Sequence, residues 1–230
     1  MELTTYASWL NTAFESFDYA ILEAMYSLQG AAGGILTPLA KFISFLGKDG
    51  IVLFLIGIIL MFFKKTRKIG ICIFGAIGAG AIFSNILFKD MIARPRPFET
   101  YTEIYNWWLP LNIKDWSDFS FPSGHATASM AFASAFCLAS KKKWRWAVLL
   151  FPVMMGFARV YLLMHYPTDV IGGFLFGLLG ALIAWAITLL IYRILDDYDN
   201  VPLFRFIRDW DVVKGMPKEK KKNIYKRPGA

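Results

Sequence analysis

Two histidines are the only imidazoles in this chain of 230 residues, and each stands among residues that suit an anion site. His125 ends the run FPSGH, in which Pro122 is expected in the first turn of a helix, with Ser123 and Gly124 beside it. A helix amino terminus offers free backbone N–H groups, and glycine lets a ligand approach them. The run therefore predicts an anion-binding helix start that carries a titratable ring.

The second histidine, His165, lies six residues after Arg159 and four residues before Asp169. Pro167 breaks a helix between them, which places Asp169 in the first turn of the next helix. From there its carboxylate is expected to accept a hydrogen bond from Nδ1 of His165, so that Nε2 is unprotonated and points outward. An imidazole held in this way is suited to nucleophilic attack.

Cations that suit phosphate accompany the histidines. Lys89 and Arg96 are seven residues apart, about two helical turns, and prolines next to Arg96 are expected to end that helix. The guanidinium fork matches phosphate oxygens, and lysine supplies a compact charge. Together with Arg159 they predict a phosphate site built from separate parts of the chain. Arg94 has no assigned role.

The elements that position these residues are expected to be membrane helices, because 57% of the chain is hydrophobic. A bilayer core of about 30 Å needs roughly 20 apolar residues of helix. Five spans are predicted, at residues 51–63 (extending back through 45–50), 69–88, 120–140, 146–164 and 170–192. Residues 1–47 are either one span interrupted by glycine and proline or two pieces, one of them in the membrane interface. The predicted fold is all-α, a polytopic transmembrane bundle of about six spans.

The distribution of the net charge of +8 indicates a membrane partner rather than a nucleic acid. Lysines and arginines cluster at residues 64–68, 141–145 and 193–227, and alternating spans place all three clusters on one side. Basic connections mark the cytoplasmic side. We therefore expect one transmembrane domain over residues 1–195 and a basic cytoplasmic tail over residues 196–230. The amino terminus lacks a basic region, so no removable signal peptide is expected.

The same alternation places the chemically distinctive residues at the outer ends of the spans, which predicts an extracytoplasmic site in the plasma membrane. The longest connection, residues 94–122, also lies outside and carries Trp107, Trp108 and Trp116. These side chains suit either anchoring at the outer headgroups or contact with a substrate.

Three runs carry a family resemblance: KDMIARPRP, PSGH and RVYLLMHYPTD, within residues 89–169. In that order they resemble the signature motifs of the type 2 phosphatidic acid phosphatase superfamily, which includes bacterial lipid phosphatases and vanadium haloperoxidases. The resemblance implies that His165 forms a phosphohistidine, that Asp169 orients it, and that His125 protonates the leaving oxygen and then activates water. It also implies a set of residues that hold the phosphoryl oxygens: Lys89, Arg96, Ser123, Gly124 and Arg159.

One position departs from the family pattern, because Ala158 stands where the family has a serine. The change removes a hydroxyl contact worth about 1 kcal/mol. It affects neither of the expected histidine roles.

The resulting prediction is a metal-independent lipid phosphatase with no cofactor, since three cations could stabilise the transferred phosphoryl group and no carboxylate cluster suggests a metal site. Its substrate, entering from the bilayer, would be a lipid monophosphate or diphosphate, with undecaprenyl diphosphate or phosphatidylglycerol phosphate favoured. The alternative is a lipid transporter or scramblase that uses the basic residues as a headgroup path. Haloperoxidase activity is disfavoured in a membrane-embedded chain.

Cys72 and Cys137 lie within predicted spans and are expected to pack there as small apolar side chains.

Overall fold

The computed structural model describes residues 3–113 and 118–215, and within these ranges the regular structure is helical. The predicted all-α class is therefore confirmed for the described residues. The α-helices, in chain order, are α1 (Thr5–Ala13), α2 (Glu15–Leu46), α3 (Ile51–Met61), α4 (Arg67–Ala81), α5 (Lys89–Ile92), α6 (Pro97–Thr100), α7 (Thr102–Trp108), α8 (Gly124–Ala139), α9 (Leu150–Tyr161), α10 (Pro167–Asp197) and α11 (Pro202–Asp209). A π-helical segment, Ile82–Phe88, joins α4 to α5.

Two helical stretches are long and apolar enough to cross a bilayer, Arg67–Thr100 with 34 residues and Pro167–Asp197 with 31 residues. The pair α2 and α3 meets the same requirement together but is bent by 48°. Helices α8 and α9 have only 16 and 12 residues, and residues 143–149 between them form a 3₁₀ helix. Within residues 3–113 and 118–215, length and composition thus give two or three candidate spans, and the expected count of about six is not confirmed.

Small residues allow α4, α8 and α10 to pack closely. A Cβ atom at Gly177 of α10 would lie 2.5 Å from the backbone oxygen of Thr127 in α8. A Cβ atom at Gly180 would lie 2.9 Å from the backbone oxygen of Ala76 in α4. Such contacts of helix backbones are typical of membrane bundles. This packing fixes the start of α8 against the start of α10, where both histidines lie.

Helix α2 gives residues 1–47 an arrangement that the sequence left open. Its backbone leaves helical geometry at Ala32 (φ −138°), and Pro38 follows within the helix. Along α2, Asp18, Gln29, Thr37 and Ser44 bond to partners within residues 159–168. These partners all lie where α9 ends and α10 begins. Helix α2 therefore lies across one end of the bundle.

The carboxyl-terminal part folds back onto the opposite end of the bundle. The buried side chain of Arg67 donates hydrogen bonds to the backbone oxygens of Ile207 (2.7 Å) and Arg208 (3.1 Å), at the end of α11. The strongly basic run within residues 218–227 lies outside the described residues.

The tryptophans of the long connection do not share one environment. Trp108 is buried and stacks on Phe98 with ring centroids 4.3 Å apart. Trp107 stacks on Tyr26 of α2, at 4.5 Å. Trp108 is therefore part of the core, whereas Trp116 lies outside the described residues.

Candidate active site

A cavity of about 380 Å³ collects most of the residues that the sequence singled out. Six of the eight predicted site residues line it, namely Lys89, Arg96, Gly124, His125, Arg159 and His165. They come from α5, the connection after it, α8, α9 and the connection before α10. The remaining two, Ser123 and Asp169, are buried and do not line the cavity.

His165 is held by Ser120 rather than directly by Asp169. Its Nδ1 lies 2.8 Å from the backbone oxygen of Ser120, 3.4 Å from the hydroxyl of the same residue and 3.6 Å from Oδ2 of Asp169. A carbonyl oxygen can only accept, so the proton must be on Nδ1 and the lone pair on Nε2. The tautomer expected from the sequence is thus obtained through a different partner, and the expected direct hydrogen bond from Nδ1 of His165 to Asp169 is replaced by a longer contact of 3.6 Å.

The carboxylate of Asp169 accepts hydrogen bonds from three other donors, which explains why it makes no direct hydrogen bond with His165. Its Oδ2 accepts hydrogen bonds from the hydroxyl of Ser120 (2.5 Å) and from the backbone N–H of Tyr166 (2.9 Å). Its Oδ1 accepts one from Nη1 of Arg94 (2.7 Å). The hydrogen bonds of Asp169 therefore reach His165 through Ser120, while Oδ2 itself stays 3.6 Å from Nδ1 of the ring.

Arg94, left without a role by the sequence, connects two buried carboxylates. Its Nη2 donates to Oδ2 of Asp18 (2.8 Å) and its Nη1 donates to Asp169, while Nε donates to Asn11 (2.8 Å). Asp18 also accepts hydrogen bonds from the backbone N–H and the hydroxyl of Thr168. Asp18 was not among the residues predicted from the sequence, although an acidic residue within an apolar segment is a signal that could have identified it.

The local environment favours a neutral His165. Burial, followed by the positive charges of Arg96, Arg159 and Lys89, lowers the pKa of its ring well below the ordinary 6.5. The ring, in the connection between α9 and α10, is therefore neutral at neutral pH.

The two cations of the first motif meet at one acidic residue. Lys89 Nζ lies 2.6 Å from Oδ2 of Asp118, and Nη2 of Arg96 pairs with Oδ1 of the same carboxylate. Arg96 is 3% exposed, and its Nη1 also donates to the backbone oxygen of Met164 (2.9 Å). Burial raises the pKa of Asp118, but the hydrogen bonds and charges of Lys89 and Arg96 outweigh it and lower that pKa overall. The carboxylate is therefore ionised.

Two buried polar atoms next to these groups lack partners within the described residues, Nε of Arg159 and Oγ of Ser123. Arg159 uses its Nη1 to donate to the hydroxyl of Ser44 on α2 (2.6 Å). Leaving a buried donor unpaired costs about 1–3 kcal/mol, so such atoms are suited to binding a ligand oxygen. Helix α8 begins at Gly124 with Ser123 as its N-cap, and Pro122 precedes the helix instead of lying in its first turn.

The cavity also contains polar residues that the sequence analysis missed. Ser84 and Asn85 enter it from the π-helical segment, a local geometry that is frequent at functional sites. Lys41 and Lys48 line it from α2 and the turn that follows. Ala158, which stands in place of the family serine, is fully buried in the apolar cluster around α9.

Comparison with known proteins finds similarity over the part of the chain that contains these site residues. The sequence model of the PAP2 superfamily matches residues 69–195. The chain is 35% identical over 120 residues to an undecaprenyl-diphosphatase of Sulfolobus acidocaldarius, covering 52% of this chain and 55% of that protein. It is 29% identical over 155 residues to the undecaprenyl-diphosphatase BcrC of Bacillus subtilis, covering 67% of this chain and 76% of that protein.

Among solved structures, a transmembrane PAP2-type phosphatidylglycerolphosphate phosphatase from Bacillus subtilis superimposes with a TM-score of 0.62 at 26% identity. The superposition covers 79% of this chain and 90% of that one. The family match extends over more than half of the 230 residues and includes both histidines. The resemblance that the three motifs indicated is confirmed, and the chain belongs to the PAP2 superfamily.

Proposed function

We propose that this protein is an integral-membrane lipid phosphatase that cleaves a lipid phosphomonoester or diphosphate through a phosphohistidine on His165. One observation carries the proposal: Nδ1 of His165 is bound to a carbonyl oxygen, and the same ring lines a cavity with five cationic side chains, among them Lys89, Arg96 and Arg159. Nε2 is therefore the nitrogen that is free to attack phosphorus. The names of the relatives agree with this reaction, since the two compared above are undecaprenyl-diphosphatases.

The first chemical step forms a bond from Nε2 of His165 to phosphorus while the bond from phosphorus to the leaving oxygen breaks. His125, at the start of α8, donates a proton to that leaving oxygen. In the second step a water molecule transfers a proton to His125 while its oxygen attacks phosphorus, and the bond from phosphorus to Nε2 of His165 breaks. Inorganic phosphate is released, His165 is again a free imidazole and His125 is again protonated. Lys89, Arg96 and Arg159 stabilise the equatorial oxygens, where charge spreads in the transition state.

The remaining predicted residues would support these steps, Gly124 from the wall of the cavity and the others from behind it. Gly124 and Ser123 are placed to offer a backbone N–H and the unpartnered hydroxyl to a phosphoryl oxygen. Asp169 would hold Ser120, and Ser120 holds His165. None of these steps requires a metal ion.

The favoured substrates are undecaprenyl diphosphate and phosphatidylglycerol phosphate, because relatives and the structural neighbour carry these names. Both are long-chain lipids, and they would enter the cavity sideways from the bilayer. The two lysines from α2 and the turn after it, Lys41 and Lys48, add positive charge to the cavity, which suits a diphosphate.

We place the site on the extracytoplasmic face of the plasma membrane, with residues 1–195 as one domain and residues 196–230 as a basic cytoplasmic tail. The basic clusters at 64–68 and 141–145 lie at the ends of helices opposite to the cavity, which supports this orientation. We assign helices α3, α4, α8, α9 and α10 to the five predicted spans. Length and composition alone support the stretch that includes α4 and the helix α10, and α3 only together with α2. The contacts of α2 favour an interfacial position for the sixth, across the outer end of the bundle.

Phosphate release by purified protein tests the reaction. Wild type, His165→Ala and His125→Ala in detergent receive a panel of lipid phosphates, with and without a chelator. Release by wild type alone, at a rate that the chelator does not change, is expected. Equal release by wild type and His165→Ala would contradict the proposal. Lipid movement without phosphate release, surviving loss of His165, would favour the transporter alternative.

A further inference from the structure

Asp118 occupies the place where a substrate phosphate is expected to bind. Its two carboxylate oxygens reach Lys89 (2.6 Å) and Arg96, and its backbone oxygen accepts a hydrogen bond from Nε of Arg96 (3.0 Å). Asp118 lines the same cavity as both histidines. Its side chain is 50% exposed, whereas those of Lys89 and Arg96 are 12% and 3% exposed. The carboxylate thus reaches from the solvent side onto two largely buried cations.

The carboxylate of Asp118 contacts Lys89 and Arg96 in the way that a bound phosphoryl group would. Two oxygens that share a negative charge each contact one cation, as two phosphoryl oxygens would. Buried cations without a counter-charge are unfavourable, so an internal anion stabilises the ligand-free site. A phosphate that binds to Lys89 and Arg96 must take the place of that anion.

We propose that Asp118 is an internal competitor for phosphate that sets the affinity of the site, an inference that rests on the proposed function. When a phosphoryl group arrives, the carboxylate leaves the two cations, and when inorganic phosphate departs, it returns to them. The competition lowers the binding affinity of the substrate and that of the phosphate product by a similar factor, because both bind to the same cations. Asp118 therefore limits inhibition by the released phosphate at the expense of substrate affinity.

The substitution Asp118→Asn keeps the shape of the side chain and removes its charge. We expect inorganic phosphate to bind about tenfold more tightly to this variant, as expected for the loss of a partly exposed competing charge. KM for a lipid phosphate should fall by a similar factor. The value of kcat should change less, because the competition acts on ground-state binding.

Asp90→Asn is the matched control. Asp90 is adjacent to Lys89 in the chain and exposed, and it makes no ion pair in the part of the chain that the structure describes. Its substitution changes the net charge by the same amount, so a general electrostatic effect would appear in both variants. We expect phosphate affinity to stay at the wild-type value in Asp90→Asn.

Calorimetric titration of the purified protein with inorganic phosphate measures the affinity without turnover. A failure of the proposed phosphatase reaction would appear as absent lipid hydrolysis, while this titration would still report on Asp118. Equal or weaker phosphate binding by Asp118→Asn would overturn the inference and make Asp118 a residue that positions the cations. Asp118→Ala provides a second variant. Loss of folding in both variants, or no phosphate binding by any protein, would also overturn it.

Discussion

Replacing Ser120 with alanine isolates the link between the buried acid and the proposed nucleophile. The substitution removes the hydroxyl that donates to Oδ2 of Asp169 at 2.5 Å. It leaves the backbone oxygen of residue 120, which accepts from Nδ1 of His165 at 2.8 Å. The ring should therefore keep its tautomer but lose part of its positioning, because Asp169 no longer holds the chain at residue 120.

The size of the effect follows from the bond that is lost. A buried hydrogen bond to a charged acceptor contributes about 1.5–3 kcal/mol. If that energy is expressed in the transition state, kcat/KM falls roughly 10- to 150-fold. The loss should appear mainly in kcat, because the hydroxyl of Ser120 is not part of the cation set that binds phosphate.

Steady-state phosphate release by Ser120→Ala and by a matched variant, Ser129→Ala, provides the assay. Ser129 is also fully buried, but within the described residues its hydroxyl donates to the backbone oxygen of Ala126 in its own helix (3.0 Å) and to no other group. We expect near wild-type kcat/KM for Ser129→Ala. Wild-type kcat/KM in Ser120→Ala, with both variants folded, would refute the indirect link between Asp169 and His165.

Two further predictions concern the packing and the ionisation of the site. Gly177→Ala places a methyl group 2.5 Å from a backbone oxygen of α8, so it should cost about 1–3 kcal/mol and lower the unfolding temperature, whereas Gly78→Ala, with no atom within 4 Å, should not. Nitrogen NMR of histidine-labelled protein should show Nδ1 of His165 protonated and Nε2 bare. Because the pKa of this ring is lowered, the neutral form should persist as pH falls through 6.5, and protonation above that value would contradict the assignment.

The sequence predicted the cavity well because the chemistry of its residues is unusual in a membrane protein. Charged and titratable side chains at the ends of apolar spans are unfavourable in free energy, so their presence indicates function. Lys89, Arg96, Arg159 and both histidines were identified in this way, and all five line one cavity. The helical class followed from the same apolar stretches.

The hydrogen-bond and ion-pair partners of these residues were harder to predict from the sequence. The spacing of His165 and Asp169 predicts a direct hydrogen bond, but the competing donors come from distant segments that spacing cannot place. Arg94 is 75 residues from Asp169 along the chain, and Ser120 is 49 residues from it. Asp118 was missed because an exposed loop carboxylate is ordinary until its contacts with Lys89 and Arg96 are known.

The path of α2 was also undetermined, for a different physical reason. Glycine and proline permit a bend without specifying its direction, and the segment carries no lysine or arginine before Lys41 that could orient it. Its position is set by tertiary contacts, such as that of Asp18 with Thr168 at one end and that of Ser44 with Arg159 at the other.

The central claim is that phosphorus becomes bonded to Nε2 of His165 during turnover. Rapid quenching into alkali preserves a phosphohistidine. If the substrate is labelled in its transferred phosphoryl group, the preserved phosphohistidine carries the label. Proteolysis and mass spectrometry of the quenched protein then locate the label. We predict label on Nε2 of His165 in wild type and none in His165→Ala. Turnover without label at His165, or label that persists in His165→Ala, would contradict the mechanism.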